Sequence, residues 1–280
     1  MPGRERLPGQ HALLRGSRPL SASRPVISAE SDELIRARVA GTWAFRTRAE
    51  IEASARFARL APELAAVGAD PIVVRGAEDA SADEARHRDL CAVVAARFGE
   101  PDAKNHRPPR VRIGRADMDP RDRLLWEVVA VCCISETMNT SLLTRCQEVA
   151  KDPQILDTLH ELLKDEVRHA QLGWAHLASE RATGRGAFLS DVLPSMLTAS
   201  VDPGFLEGKL AMPWVEALYD YGELPLAELI QIYCETLEEV VFRGLDAMGV
   251  DTSLGRAWLR TATAGNSNAS GANGEPELLT

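Results

Sequence analysis

The chain has 280 residues, of which 45% are hydrophobic, and it carries a formal net charge of −9 with a pI near 5.3. This length and apolar content favour a globular protein with a sizeable core, built as one large domain or as a domain with additions. The acidic charge balance argues against a nucleic-acid partner, since nucleic-acid-binding domains are typically basic.

Neither a membrane span nor a secretory leader is expected from the sequence. Charged residues interrupt every apolar run well before the roughly 20 residues that cross a bilayer. The run Ala12-Leu13-Leu14 is followed at once by Arg15, so it is too short for the apolar part of a signal peptide. These features predict a cytoplasmic protein with no membrane partner.

The five cysteines show no pattern of a disulfide framework. They occupy positions 91, 132, 133, 146 and 234, and no two of them are spaced as Cys-x-x-Cys. A rubredoxin-type iron site is therefore not expected, and Cys91 is predicted to pack as a buried thiol rather than to bind metal.

The first predicted helix offers two candidate carboxylates. Residues 1–35 lack hydrophobic periodicity and are predicted to form a disordered extension, after which the helix runs from about Gly41 to Leu64. The residues 3, 7, 11 and 14 positions after Glu50 are Ala53, Phe57, Ala61 and Leu64. Because this face is apolar, and Glu52 shares its face with Arg56 and Arg59, we expect Glu50 to point inward.

A connector is predicted from about Val67 to Ala77, because it contains Gly68 and Pro71. The second helix follows from about Glu78 to Phe98 and carries Asp-Glu-Ala-Arg-His at residues 83–87. Residues 99–120 contain four prolines and no helical period. Their length predicts a crossover that runs along the helices and separates two helical hairpins.

The third predicted helix runs from about Arg121 to Lys151 and carries one carboxylate, Glu136, within an apolar stripe. An isolated buried carboxylate is costly unless it is paired or binds a metal ion. Glu127 has basic neighbours, including Arg123, and is predicted to be the surface carboxylate of this helix.

The fourth predicted helix begins at Asp152-Pro153, a typical start signal, and ends near Glu180. It carries the second five-residue stretch, Asp-Glu-Val-Arg-His at residues 165–169. Residues 181–262 are predicted to form a helical extension packed on residues 36–180, with Leu193, Val240 and Phe242 among the covering residues. Residues 263–280, rich in small polar residues, are predicted to be disordered.

The two five-residue stretches agree at four of five positions. In each, Glu and His are three residues apart, so that both side chains project from one face of a helix and are able to bind the same metal ion. Each stretch follows a lone inward Glu, Glu50 or Glu136, by a similar number of residues. Four Glu and two His on four helices form the ligand set of a carboxylate-bridged dinuclear bundle.

The paired Asp-Glu-x-Arg-His motif resembles that of ferritin-like di-iron carboxylate proteins, notably the hydroxylase subunits of bacterial multicomponent monooxygenases, over residues 41–180. Those subunits are much larger, and in size this chain is more similar to the small stand-alone ferritin-like proteins of bacteria. The resemblance implies an all-α fold: a ferritin-like four-helix bundle with a long crossover between helices 2 and 3, plus additional C-terminal helices. The metal ligands that it implies are Glu50, Glu84, His87, Glu136, Glu166 and His169.

The resemblance also implies supporting contacts around the histidines. Asp83 and Asp165 would each hydrogen-bond the histidine of the other motif, and Arg86 and Arg168 would hold these aspartates. Surface ion pairs are the alternative for these four residues. No catalytic residue beyond the metal ligands is assigned.

The expected cofactor is a pair of iron ions, with manganese as an alternative, since oxygen and imidazole ligands suit both metals. The expected function is a non-haem di-iron (or Mn/Fe) oxidoreductase that activates dioxygen to oxidise a small organic substrate. A ferritin-like iron-binding or ferroxidase protein without an organic substrate is the alternative, and a scaffold that kept its ligands is a third. An external electron donor is expected, because the sequence has no Gly-rich dinucleotide fingerprint, and a homodimer is one option for assembly.

Two variants of the family are disfavoured by the sequence. The tyrosines are Tyr219, Tyr221 and Tyr233, all outside the four predicted bundle helices, so a radical-storing tyrosine beside the metals is not expected. Arylamine N-oxygenases carry an extra His one turn before the second motif, where this chain has Leu162. His160 points about 120° away from Glu166, so a seventh ligand is not expected.

Overall fold

The computed structural model of the protein describes residues 29–108, 112–114, 117–201, 203–208 and 212–264. These residues form helices, turns and loops, and no strand occurs among them. The all-α prediction is confirmed. The predictions of disorder for residues 1–28 and 265–280 fall outside the described residues, whereas Thr263, predicted to be disordered, ends a helix that begins at Ser253.

Helix α1 (Ala29–Ala66) begins well before the predicted start at Gly41. The reason lies in its apolar stripe, which continues towards the N-terminus through Ile35, Val39 and Trp43, all buried. Residues 29–35, predicted to belong to the disordered extension, are therefore helical.

Helix α2 (Pro71–Phe98) also begins earlier than the predicted Glu78. The side chain of Asp70 accepts a hydrogen bond from the backbone N–H of Ile72, and proline is favoured in the first helical turn. Pro71 thus starts the helix, whereas the prediction took it as part of a connector. The turn before it uses Gly68 at a φ of +70°.

Helix α3 consists of three consecutive segments: Pro120–Val128, the π-helical Val129–Glu136, and Thr137–Val149. Within the described part of residues 99–119, which join α2 to α3, there is no helix. Helix α4 (Pro153–Ala182) is capped by Asp152, whose side chain accepts hydrogen bonds from two backbone N–H groups. Both helices lie close to their predicted bounds.

The four long helices pack on one another, α1 along α2, and α2 and α3 each against α4. The approach of α4 to the π-helical segment depends on Gly173. A Cβ atom at that position would lie 2.4 Å from Cβ of Cys132, which is closer than any real contact. Glycine therefore allows these two helices to touch through their backbones.

The C-terminal region adds helix α5 (Leu189–Ser200), a single turn at Pro203–Leu206 and a 3₁₀ helix at Glu216–Tyr221. Helix α6 then joins Leu226–Thr236, the π-helical Leu237–Phe242 and Arg243–Ala247, and helix α7 spans Ser253–Thr263. None of the helices in the described residues is long and apolar enough to cross a membrane.

Helices α5, α6 and α7 share an apolar core with the first two segments of α3, in which Leu193 and Phe242 are buried beside Val129. Val240, predicted to cover the bundle, is instead 46% exposed. Its π-helical segment has more residues per turn than an α-helix, which changes the face on which each residue lies.

Candidate metal centre

The structure brings together six buried side chains that carry potential metal-ligating atoms, and each long helix contributes one or two of them. They are Glu50 on α1, Glu84 and His87 on α2, Glu136 on α3, and Glu166 and His169 on α4. Each is at most 7% exposed. Glu52 lies outside this set, and its carboxylate contacts Nε2 of His106 at 2.8 Å.

The six residues fall into two groups of four potential ligands. One group is Glu50, Glu84, His87 and Glu166, and the other is Glu84, Glu136, Glu166 and His169. Within each group the ligand atoms all lie within 4.8 Å of one another. Glu84 and Glu166 belong to both groups.

The two oxygens of each shared carboxylate face different histidines. Nδ1 of His87 lies 3.4 Å from Oε2 of Glu84 and 3.5 Å from Oε1 of Glu166. Nδ1 of His169 lies 3.0 Å from Oε1 of Glu84 and 3.4 Å from Oε2 of Glu166. Glu50 joins the first side, with Oε2 3.8 Å from Nδ1 of His87.

The outer nitrogen of each histidine faces the aspartate of the other motif. Nε2 of His87 lies 3.1 Å from Oδ2 of Asp165, and Nε2 of His169 lies 3.5 Å from Oδ2 of Asp83. A carboxylate at Nε2 favours the tautomer that carries its proton there. In the neutral ring, the inward nitrogen, Nδ1, then carries no proton and is able to bind a metal ion.

Two arginines connect these aspartates into a ring. Arg86 donates to Oδ1 of Asp83 at 2.8 Å and also contacts Asp165. Arg168 lies 3.0 Å from Oδ2 of Asp83 and 2.6 Å from Oδ1 of Asp165. Burial would raise the pKa of Asp83, but the hydrogen bonds from both arginines outweigh it and lower the pKa. Both aspartates are thus held between α2 and α4 by charged partners.

The lone carboxylates favour their protonated form. Burial raises the pKa of Glu50 well above its usual value, and contact with Glu84 adds to the shift. Burial likewise raises the pKa of Glu136, together with repulsion from the carboxylates of Glu166 and Glu84. A charged carboxylate is costly in such surroundings.

The histidines favour their charged form. Burial alone would lower the pKa of His87, but contacts with the surrounding carboxylates, first that of Glu166, raise it to about 12. The pKa of His169 rises to about 10 for the same reason, against the effect of burial.

The shared carboxylates stay ionised. Burial would raise the pKa values of Glu84 and Glu166, yet contacts within the cluster, including those with His169, lower both. Without metal, the raised pKa values of both histidines and of both lone glutamates favour a cluster that holds protons.

Several atoms of the cluster are buried and make no hydrogen bond. They include Oε2 of Glu84, Nδ1 of His87, both carboxylate oxygens of Glu166 and Nδ1 of His169. Buried polar atoms in proteins are nearly always hydrogen-bonded, so a convergence of orphaned atoms calls for an explanation. Carboxylate oxygens and imidazole nitrogens are ligands for divalent metal ions, and these residues fit two of them.

The neighbouring side chains agree with a six-ligand cluster. The ring of Phe57 packs on that of His169, with centroids 5.4 Å apart. Leu162 is buried, and His160 is exposed and 3.5 Å from the side chain of Gln147. Burial raises the pKa of Cys91, which therefore stays a thiol.

Glu127 corrects a sequence prediction. It was expected on the surface, but it is 1% exposed and forms an ion pair with Arg59 of α1. The prediction considered only the basic neighbours of Glu127 on its own helix, whereas its partner comes from another helix.

A second buried polar group, near the N-terminal half of α1, was missed from the sequence. Glu223 is 4% exposed and accepts hydrogen bonds from Arg38 at 3.2 Å and from Thr42 at 3.0 Å. Arg46 lies on the same helix, and its Nη2 is 3.7 Å from Sγ of Cys146. Glu223 follows a short 3₁₀ helix without periodic pattern, so no sequence signal placed it in the interior.

All five cysteines are free thiols, as expected. Comparison with known proteins adds no further assignment, since no family model, curated protein or solved structure matches the chain.

Proposed function

We propose that this protein is a ferritin-like, carboxylate-bridged dinuclear metalloprotein. Its function would be that of a non-haem di-iron oxidoreductase, with manganese as an alternative metal, that uses dioxygen to oxidise a small organic substrate. One observation carries the proposal. In both Glu84 and Glu166, one carboxylate oxygen faces Nδ1 of His87 and the other faces Nδ1 of His169.

The ligands divide naturally between two ions. His87 and Glu50 would hold one ion, His169 and Glu136 the other, and the shared carboxylates would bridge them. Four carboxylates balance the charge of two divalent ions, so the loaded cluster is neutral. When bound, a pair of iron ions supplies two electrons for the reduction of dioxygen.

The protein's own residues orient the ligands. Asp165 accepts a hydrogen bond from Nε2 of His87, and Asp83 lies 3.5 Å from Nε2 of His169, so that the two carboxylates direct Nδ1 of both rings inward. Arg86 and Arg168 keep both aspartates in place. Electrons for repeated turnover would come from an external donor protein, since the sequence has neither a dinucleotide fingerprint nor a cysteine cluster.

The test is anaerobic reconstitution with ⁵⁷Fe(II), followed by metal analysis and Mössbauer spectroscopy before and after dioxygen is added. We expect close to two iron ions per chain and a coupled diferric signal after oxidation. Glu84→Ala should lose most of the iron. The control, Glu52→Ala, should retain it, because Glu52 lies only two residues from Glu50 on α1 but contacts His106 outside the cluster. Full iron content in Glu84→Ala would contradict the proposal.

Dioxygen uptake with reductant separates the two expected functions. An oxidase or oxygenase should consume dioxygen faster, and form an oxidised organic product, when its substrate is present. Uptake driven by Fe(II) alone and unaffected by organic compounds would instead indicate the ferroxidase alternative.

A further inference from the structure

Each imidazole of the metal centre is held by an aspartate from the other motif. Nε2 of His87 lies 3.1 Å from Oδ2 of Asp165, and Nε2 of His169 lies 3.5 Å from Oδ2 of Asp83. His87 and Asp83 belong to α2, whereas His169 and Asp165 belong to α4. The orientation of each histidine therefore depends on a residue of the helix that carries the other histidine.

Two guanidinium groups join these aspartates to each other. Arg86 donates to Oδ1 of Asp83 at 2.8 Å and also to Oδ2 of Asp165. Arg168 donates to Oδ2 of Asp83 at 3.0 Å, and its Nη2 lies 2.6 Å from Oδ1 of Asp165. We call these four residues the Asp–Arg ring. Each of its two arginines contacts one carboxylate on α2 and one on α4.

A continuous series of contacts runs through the Asp–Arg ring from one histidine to the other. At each aspartate a single oxygen, Oδ2, contacts both a histidine and an arginine. From His87 the series passes through Asp165 and Arg86 to Asp83, and from there to His169. Whatever fixes one imidazole therefore also helps to fix the carboxylate that faces the other imidazole.

The arginines are the parts of the ring that have most freedom to lose. The side chains of Arg86 and Arg168 are 44% and 53% exposed, whereas that of Asp165 is 1% exposed. Long, exposed side chains lose conformational entropy when they are held in one geometry. An ion bound at Nδ1 of one histidine would hold the ring, so that a second ion meets a site that is already ordered. Prior ordering of this kind gives positive cooperativity between two sites.

We propose that the Asp–Arg ring couples the two metal sites, so that an ion beside His87 raises the affinity for an ion beside His169. Because coupling between two binding sites is reciprocal, an ion beside His169 raises the affinity beside His87 by the same factor. This inference rests on the proposed function and describes how that site is loaded: the ions bind in pairs. Arg86 and Arg168 are positioning residues in this scheme and bind no ion themselves.

The test is titration of metal-free protein with Mn(II), followed by electron paramagnetic resonance, which distinguishes isolated Mn(II) ions from spin-coupled pairs. When half of all sites are filled, independent sites leave at least about half of the chains with a single ion. A coupling of about tenfold, within the usual range of about 5- to 150-fold, lowers that share to about a quarter for sites of equal affinity. We expect wild type to show about this share or less.

The informative variant is Arg86→Lys/Arg168→Lys, since lysine keeps the charge but lacks the planar donor fork that contacts two carboxylates. The share of singly loaded chains should rise to about half or more, while two ions still bind at saturation. Arg168→Lys alone should give an intermediate share. Arg88→Lys is the matched control and should load as wild type does, because Arg88 lies on α2 but pairs with Asp89 outside the ring. The bridging carboxylates are present in all four proteins, so they do not explain a difference between them.

The number of ions bound at saturation keeps this inference separate from the proposed function. If wild type binds two ions but leaves half or more of its chains singly loaded at half saturation, the inference is wrong and the proposed function stands. An equally low share in wild type and in Arg86→Lys/Arg168→Lys would also overturn it, since the coupling would then not run through the ring. If wild type binds no Mn(II), the inference fails, and the iron content of the reconstituted protein decides the proposed function separately.

Discussion

Metal binding should displace protons from the cluster, because four of its groups favour their protonated form. At pH 7 both histidines carry a proton at a site where a metal ion must bind, since the pKa values of His87 and His169 are raised to about 12 and about 10. Glu50 and Glu136, whose pKa values are raised well above the usual range, contribute up to one proton each. Binding of two ions should therefore release between two and four protons per chain.

The proton release has a direct effect on affinity. For each proton displaced, the binding constant falls about tenfold per unit decrease in pH. The product of the two metal-binding constants should thus fall by at least about 100-fold per pH unit below neutrality. The sign follows from the raised pKa values: protons compete more strongly with the metal as the pH falls.

The assay is titration of metal-free protein with Mn(II) in weakly buffered solution containing a pH indicator. Glu136→Gln should release up to one proton fewer than wild type, because glutamine has no proton to lose. Glu52→Gln should release the same number as wild type. Two bound ions with fewer than two protons released per chain would refute this account of the cluster.

Three further predictions concern the surroundings and the metal-free state. Asp165→Asn removes the negative charge at Nε2 of His87, and metal affinity measured by competition with a chelator should fall about 10- to 100-fold. Gly173→Ala should destabilise the protein by about 1–3 kcal/mol in thermal melts, because the new Cβ would lie 2.4 Å from a side-chain carbon of α3. The control, Gly41→Ala, should be neutral or slightly stabilising, because a Cβ there would have no atom within 4 Å. Metal-free Glu136→Gln and wild type should have similar melting temperatures near pH 4.5, and the variant should have the higher melting temperature at higher pH. The pKa of Glu136 is raised in the folded protein, so wild type loses stability as the pH rises towards that pKa, whereas glutamine does not ionise. Parallel loss of melting temperature in both proteins up to pH 9 would count against the last of these.

Periodicity predicted which of two carboxylates is buried where the pattern was local. The apolar stripe of α1 put Glu50 on the buried face and Glu52 outside it, and the structure has the same arrangement. The Glu and His of each motif needed only helical spacing to face the same space. That they bind metal remains a prediction.

The helix starts show where local signals mislead. Pro71 and Gly68 suggested a connector, yet Pro71 begins α2 under the cap of Asp70. Pro is favoured in a first helical turn and disfavoured in later ones, so the same residue type indicates either a start or a break. The sequence alone did not decide between them.

Features that depend on distant partners could not be predicted. Glu127 is buried because Arg59 of another helix pairs with it. Glu223 is buried because Arg38 and Thr42 of α1 donate hydrogen bonds to its carboxylate. The π-helical segments change the buried face within a helix, which explains the exposure of Val240. No periodic pattern in the sequence reports such effects.

The central claim is that two metal ions share Glu84 and Glu166. Anomalous diffraction at the iron edge, from crystals of the protein loaded anaerobically with Fe(II), tests it most directly. We predict two anomalous peaks per chain, about 3.5–4 Å apart, one beside His87 and one beside His169. A single peak, or peaks away from these side chains, would contradict a carboxylate-bridged pair.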